Sequence, residues 1–516
     1  MKGKLTLLAV VLFFITSLLI FAGGQSSVGT EMQDTLIWAN DREMDIVLPY
    51  YDESRTVIVT SLLTHDTLLY RDPDTFEYKP LLATSYKWID DQTMEFELRK
   101  DVVFHDGTKF SADDVAATFN HVTSDESGVV TKRNVEWIGS CEKIDDYKVR
   151  LNLKTVFPAA LEYLSGPLAI FPSEIWDTAE TVAGKRDYRT VEPIGTGPYK
   201  MTEMIPGEVV KLTRNEDYFG GIKGKGKIRN IVMKTIPDRE VQVAELLAGN
   251  IHWIWNFPID RAEELSSVEG IEVASASTMR IDFLVFDAAG RSKHPAIPDI
   301  RVRRAIAHAV DRQAIATHLM GPGSVVPGSF CYPPQFGCTQ SVQQYEYDPE
   351  KSKKLLAEAG YPNGFEMDLF AYDRRHTAEA VVNDLREIGI KANLRYMQNR
   401  AMQEFYHAGE CPVTVWSWGS YSINDISAIT SNFSGPNAGT WDYAQDPDVH
   451  RWLEAGDTSV DPEVRKANYA KALERIAEEV YILPLYSVPK YHAFADNVDF
   501  TPDQDEIARF FKVGWK

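Results

Sequence analysis

The sequence predicts a mixed α/β protein whose domains exchange chain segments and meet at a hinge. Three observations carry that expectation. Strand and helix signals are interspersed from one end of the chain to the other, with no internal repeat. No low-complexity linker separates them as it would in beads on a string, so the domains share chain crossings. Finally, 44% of the 516 residues are hydrophobic and 25% charged, which is enough to bury a large core. About 490 residues follow the N-terminal leader, a length that suits two to four domains.

The leader comes first. Lys2 and Lys4 precede an apolar run from Leu5 to Phe21, and Ala22-Gly23-Gly24 supplies small residues at its exit. This is the pattern of a secretory signal peptide over residues 1–24, cut before Gln25. A retained anchor is the alternative, since roughly 17–20 apolar residues can span a bilayer. The short flanks and small-residue exit favour cleavage. A lipid-anchored form would need a cysteine at the cut, and the first cysteine is Cys141. No second run is long enough to span, so the mature chain is expected to be soluble in the periplasm. The formal net charge of −21 repels nucleic acid and anionic lipid, and neither is an expected partner.

The elements follow in order. Residues 35–39 read as a strand that opens into the polar loop Asn40-Asp41-Arg42-Glu43. Helical spacing covers 57–69. Residues 86–98 alternate as two strands about Asp90-Asp91. The loop 104–110 turns at Gly107, and Ser111 with Asp114 forms an approximate capping box for the helix that follows. Residues 147–153 alternate again, 158–164 are helical, and Gly166-Pro167 ends that stretch. After a polar, irregular stretch over 172–192, the turn Gly195-Thr196-Gly197-Pro198 leads into strands at 200–204, 209–212 and 228–236. Gly195 and Gly197 are read there as supplying backbone angles that other residues resist. A helix over 239–248 stops at Gly249-Asn250 and precedes a strand at 251–256. Residues 280–287 read as a strand, and Asp299 starts a helix to Val310. Asp348-Pro349 and Asp461-Pro462 open helices to Ala359 and Val480. Between them lie a strand at 365–370, a helix over 377–388, and strands at 392–397 and 413–418. Residues 482–486 then run extended into the C-terminal segment.

The four cysteines hold no CxxC pair, which removes the usual zinc and redox patterns. Cys331 and Cys338 flank a turn-rich loop and are expected to form a disulfide in an oxidising compartment, with two buried thiols as the alternative. Cys141 and Cys411 read as core residues. The segment Gly221-Ile-Lys-Gly-Lys-Gly-Lys-Ile228 approaches a phosphate-binding loop, but it lacks the Ser or Thr for magnesium and a strand follows it. It is read as a flexible basic loop. GxSxG and HExxH are absent, and the eleven histidines are scattered. No catalytic residue, metal ligand or cofactor is therefore assigned.

Several blocks together resemble a known family. They are Leu82-Ala-Thr-Ser-Tyr-Lys-Trp88, Met94 to Arg99, Val103 to Val115, Gly195-Thr-Gly-Pro-Tyr199, Arg301 to Asp311 and Tyr347 to Gly360. In this order they resemble extracellular solute-binding proteins of family 5, which serve ABC importers of peptides, nickel and opines. The resemblance implies a two-lobed periplasmic binding protein fold (type II, with an extra third domain) and a hinged cleft. It implies lobe I from 25–66, 190–280 and 485–516, an inserted domain over 67–189, and lobe II over 281–484. It implies capture of a peptide or peptide-like solute, no chemistry on it, and delivery to separate permease and ATPase chains. An opine, an oligosaccharide or a chelated metal is the alternative ligand. A periplasmic hydrolase or chaperone is a remote second class, and the chain is expected to be monomeric.

Peptide-binding members of the family anchor the ligand's amine with an acid after a Trp-rich strand. In Trp416-Ser-Trp-Gly-Ser-Tyr-Ser-Ile-Asn-Asp425, Ser420 or Tyr421 occupies that place, and Asp425 comes later. A ligand whose amine is modified, or an opine or sugar-like solute, is then expected. Tyr421 and Asp425 remain candidate contacts. Trp418, near a strand end, is a candidate aromatic wall, with core packing as the alternative. Tyr372, Arg374 and Arg375 follow a strand, where sites gather, and an Arg there suits a carboxylate; solvated loop charges are the alternative. Asn40 and Arg42 are candidates on the same loop argument.

Overall fold

The computed structural model describes residues 34–52, 54–182, 184–188 and 191–516. The expected signal peptide lies outside them. A ten-stranded sheet runs through the whole molecule. Its strands, numbered along the chain, are β1 (Thr35–Asn40), β2 (Tyr199–Ile205), β3 (Val209–Arg214), β4 (Asn230–Thr235), β5 (Trp253–Trp255), β6 (Ile271–Phe286), β7 (Glu366–Ala371), β8 (Lys391–Tyr396), β9 (Val413–Trp418) and β10 (Ile482–Ala495). Their order across the sheet is β2-β3-β4-β1-β5-β10-β6-β9-β7-β8.

Two long antiparallel strands, β6 and β10, join the halves of this sheet. Their ladder runs from Ile271 opposite Ala495 to Val285 opposite Ile482, and the register shifts between Ser277 and Ile281 and again between Asp282 and Phe283. Each shift has a proline beside it. Pro489 faces Ser277 and Pro484 faces Phe283. Proline has no N–H to give a ladder, so pairing loosens at both places. The sequence pattern located only 280–287 and 482–486, because Ala274, Ser275, Ala276 and Ser277 carry little strand signal of their own. Pairing with β10 supplies it.

On one side of the crossing, Leu36, Trp38, Trp253, Trp255 and Phe510 belong to one apolar core. On the other, Leu284, Ile306, Leu369 and Leu385 belong to a second. A separate four-stranded antiparallel sheet, ordered Ala83–Asp90, Thr93–Leu98, Lys148–Leu153, Ile138–Asp145, has its own core with Phe96, Phe119 and Leu151. The capping box at Ser111 and Asp114 is present, and it starts helix Ala112–Val122 over that sheet. Asp299, Asp348 and Asp461 each cap their helix by accepting a backbone N–H.

Several elements differ from the pattern. Helix Arg55–Thr64 ends earlier than expected, because Asp66 leaves it to pair with Lys223 at 2.7 Å. That pair corrects the reading of 221–228 as a flexible basic loop. Lys223 is buried and also donates to the carbonyls of Leu62 and His65, each at 2.9 Å. The Gly195 and Gly197 reading also needs correction, since neither is among the residues of positive φ. They are bare because the chain passes too close for a side chain. A Cβ on Gly195 would sit 2.1 Å from the Thr64 carbonyl oxygen, and one on Gly197 would sit 2.5 Å from that of Leu63. Gly107, at φ 90°, does serve its turn as expected. Helices Ile259–Ser266, Asn399–Ala408, Ser427–Ser434 and Pro447–Asp457 were not expected. The last repeats the Asp-Pro signal, and Asp446 caps it.

Cys331 and Cys338 are joined by a disulfide, and Cys141 and Cys411 are buried free thiols. Among the described residues no helix is long and apolar enough to cross a membrane. Gly195→Ala should lower stability by about 1–3 kcal/mol, the usual cost of overpacking. Urea unfolding of the purified protein measures it, and an unchanged midpoint would contradict the close-approach account.

Candidate functional site

A cavity of about 630 Å³ opens where the chain's separate cores meet. That lies within the roughly 300–1,000 Å³ of small-molecule sites. One wall comes from the loop after β1 (Asp41, Arg42, Glu43) and the start of helix Arg55–Thr64 (Ser54, Arg55). A second comes from the body of the four-stranded sheet, through Arg133 and Glu162. A third is the turn after β9, Tyr421 to Ile423. The floor is Trp255, Arg280 on β6, Lys490 on β10, and Asp505, Glu506 and Arg509 of the C-terminal segment.

Eight basic side chains line this space: Arg42, Arg55, Arg71, Arg133, Arg239, Arg280, Lys490 and Arg509. The acids number six: Asp41, Glu43, Asp52, Glu162, Asp505 and Glu506. The excess is positive, in a chain whose formal net charge is −21.

Arg71 holds the walls together. Its buried guanidinium donates to Glu162, to Asp505 at 2.8 Å and to the Ser422 carbonyl at 2.8 Å. Glu162 also accepts from the Asn424 N–H at 2.6 Å, and Asp505 accepts from Arg509 at 2.7 Å. Burial alone would raise the Asp505 carboxyl, but Arg509 and Arg71 hold it well below the usual carboxylate range. The turn after β9 is bonded to the opposite wall as well. Arg55 Nη1 donates to Ser422 Oγ at 2.7 Å, and Ser422 Oγ donates to the Asp505 carbonyl. Ser420, Tyr421 and Ser422 all have left-handed backbone, with φ of 49°, 51° and 64°. Such angles cost about 1–2 kcal/mol per residue outside glycine, and bonds from the far wall keep them in place.

The floor carries a second cluster. Arg55 Nη2 lies 3.7 Å and Arg280 Nε 3.4 Å from the Glu506 carboxylate. Burial opposes ionisation of Glu506, but Arg280, Arg55 and Lys490 bring its pKa down to about 2. Lys490 lies with Nζ 4.1 Å from the centre of the Trp255 ring, a cation–π contact. Burial lowers its pKa to about 7, against the pull of Glu506 and with the help of Arg55 and Arg280. The Arg280 guanidinium lies against Gly419, where a Cβ would stand 2.6 Å from Nη2.

The sequence candidates divide on this map. Arg42 and Tyr421 line the cavity. The Arg133 guanidinium lies over the Tyr421 ring, 3.2 Å from its centre. Asn40 is buried just behind the wall, donating to the Arg42 carbonyl and accepting from Thr56 at 2.7 Å. The other candidates lie off the lining. Trp418 donates to the Ala428 carbonyl at 2.8 Å and meets Phe433 and Tyr421 edge-on. Asp425 is buried and paired with Arg465 at 2.7 Å. Tyr372 donates to the Ser417 carbonyl, Arg374 pairs with Asp282 at 3.0 Å, and Arg375 pairs with Glu379 on an exposed helix face. Arg55, Arg280, Lys490 and Glu506 line the floor without having been read from the sequence. No local motif surrounds them, because the sheet crossing is what assembles them. Among the described residues no group of three or more His, Cys, Asp or Glu side chains could hold a metal ion.

The family model for bacterial extracellular solute-binding proteins, family 5 (middle), matches residues 77–440. Heme-binding protein A of Haemophilus influenzae is 26% identical over 396 residues, covering 72% of this chain and 71% of that one. The glutathione-binding protein GsiB of Salmonella choleraesuis is 27% identical over 326 residues, 62% of this chain. The matched stretch spans 61% of that relative's length. The solved structure of HbpA2 from Haemophilus parasuis superimposes with a TM-score of 0.81 at 24% identity, covering 93% of this chain and all of that one.

Two predictions follow from the floor and the junction. A buried Lys with pKa about 7 titrates near 10.4 when unfolded, so its charge penalises folding fully below pH 7 and progressively less as pH rises toward 10. Lys490→Met should therefore raise the melting midpoint of the ligand-free protein at pH 6, with the gain shrinking between pH 7 and pH 10. Arg71→Ala leaves Glu162 buried without its cation and Asp505 with Arg509 alone, and should cost about 3–5 kcal/mol in chemical denaturation.

Proposed function

The chain belongs to the bacterial extracellular solute-binding proteins of family 5, and we propose that it is the capture subunit of an ABC importer for a peptide or peptide-like solute. The observation that carries this reading is the cavity. Its walls come from separate cores, and hydrogen bonds from Arg55 and Arg71 cross it to Ser422. A site assembled in this way exists only when the walls are together, so a solute that touches all of them favours closure.

In this reading 25–66, 190–280 and 485–516 form lobe I, 281–484 form lobe II, and 67–189 form the inserted domain. The lobes open at the β6–β10 crossing. The N-terminal leader takes the chain to the periplasm and is cut near Gly24. The protein acts as a monomer, binds without turning over its solute, and meets permease and ATPase subunits that are separate chains. Arg42 and Tyr421 touch the solute directly. A molecule the size of a tripeptide suits a cavity of about 630 Å³.

Closure is the measurable consequence. Small-angle scattering of protein stripped of ligand by unfolding and refolding should give a larger radius of gyration than protein incubated with a periplasmic small-molecule extract. Tyr421→Ala should weaken retention of the extracted solute at least tenfold while the fold survives. Equal radii in both states, with no small molecule retained, would remove the solute-binding reading.

A further inference from the structure

The charge on the cavity floor is unbalanced. Arg71 and Arg509 are engaged with Glu162 and Asp505, and Arg239 lies 3.1 Å from Asp41. Arg55, Arg280 and Lys490 share one carboxylate, that of Glu506. The Arg280 side chain is one-third exposed toward the cavity, and its Glu506 contact uses only one of five donors. Lys490, 9% exposed, donates no hydrogen bond to a described residue and rests on the Trp255 ring instead. Arg55 and Arg280 against one anion leave one fixed positive charge, Lys490 supplies a second when it is protonated, and buried charge is costly until it is paired.

Two further features point the same way. Arg55 begins a ten-residue helix with no acid in its first turn, so the positive end of that helix adds to the cluster. Four of the cavity's six acids already face an arginine or lysine, and neither of the other two, Asp52 and Glu43, is buried. Glu162 and Asp505 belong to the Arg71 junction, Asp41 pairs with Arg239, and Asp52 accepts from the Ser54 N–H at 2.6 Å. Glu43 is exposed. A ligand ammonium would therefore meet no buried carboxylate that is not already facing an arginine or lysine.

We propose that the bound solute is a compact dianion without a free ammonium group, its two acidic charges seated on Arg55, Arg280 and Lys490. This rests on the solute-binding reading and narrows it. The dianion is either a dicarboxylate or a phosphate monoester. Gly419 is its positioning residue, because a side chain there would push the Arg280 guanidinium out of place.

Calorimetry on the full mature chain, stripped of ligand, tests the proposal with four probes: N-acetyl-alanyl-glutamate, its neutral diamide, alanyl-glutamate with a free amine, and glycerol phosphate. Native mass spectrometry of the unstripped protein accompanies it. The expected result is at least tenfold tighter binding of the acetylated diacid or of glycerol phosphate than of the diamide, with no gain from the free amine. Whichever of the two binds tighter identifies the acid. Arg280→Gln and Gly419→Ala should both abolish the preference, and Gly419→Ala should do so with an unchanged melting midpoint. A diamide that binds as well as the diacid, tenfold tighter binding of the free-amine form, or a neutral or zwitterionic molecule in the mass spectrum overturns the proposal and leaves solute binding standing. No retained molecule and no binding of any probe overturns solute binding itself.

Discussion

One buried guanidinium, that of Arg71, sets the geometry on which the cavity depends. It touches Glu162 from the body of the four-stranded sheet, Asp505 from the C-terminal segment and the backbone of Ser422 beyond β9. These groups lie far apart in the chain and belong to different cores. A planar cation with donors on two edges can hold three acceptors at fixed angles, which a lysine cannot do. Glu162 and Asp505 are almost wholly removed from water, and each needs a cation to stay charged there. The junction therefore orients the walls relative to one another, and the strained Ser420–Ser422 turn depends on it.

The second constraint is that the large sheet is continuous. Two strands, β6 and β10, carry the chain between its halves, and they are hydrogen-bonded to each other along most of their length. Relative motion of the halves must therefore bend or twist one antiparallel ribbon. Pro484 and Pro489 sit beside the places where that ribbon is already out of register, so the bend has somewhere to go without breaking good hydrogen bonds. Arg280 lies inside one irregularity and Lys490 adjoins its proline. The floor cations and the ribbon's weak points thus share the same few residues.

Much of this scaffold was legible in the sequence, and the reasons are local. Ser111 with Asp114, and Asp299, Asp348 and Asp461 before their helices, are caps whose partners lie two or three residues away. Such signals survive without tertiary context. Asp446-Pro447 has the same form and could have been read the same way. Gly195 and Gly197 were found for the wrong reason, since their need comes from the passing backbone of Leu63 and Thr64, 130 residues upstream. Lys223 looked like a solvated charge because its partner Asp66 is still more remote in the chain. The site itself was least legible. Arg42 was reached through loop position and Tyr421 through the family resemblance, but Arg55, Arg280, Lys490 and Glu506 come from four separate segments, and only the fold brings them together.

The opposition between a strongly acidic chain and a basic floor has a kinetic side. At long range an anionic solute meets a molecule of formal charge −21 and is repelled. At short range, inside the cavity, it meets an excess of arginine and lysine. Salt at physiological strength screens over about 8 Å, which weakens the outer repulsion more than the enclosed attraction. Added salt should then speed the arrival of such a solute while doing less to its departure, the reverse of the usual steering between opposite charges.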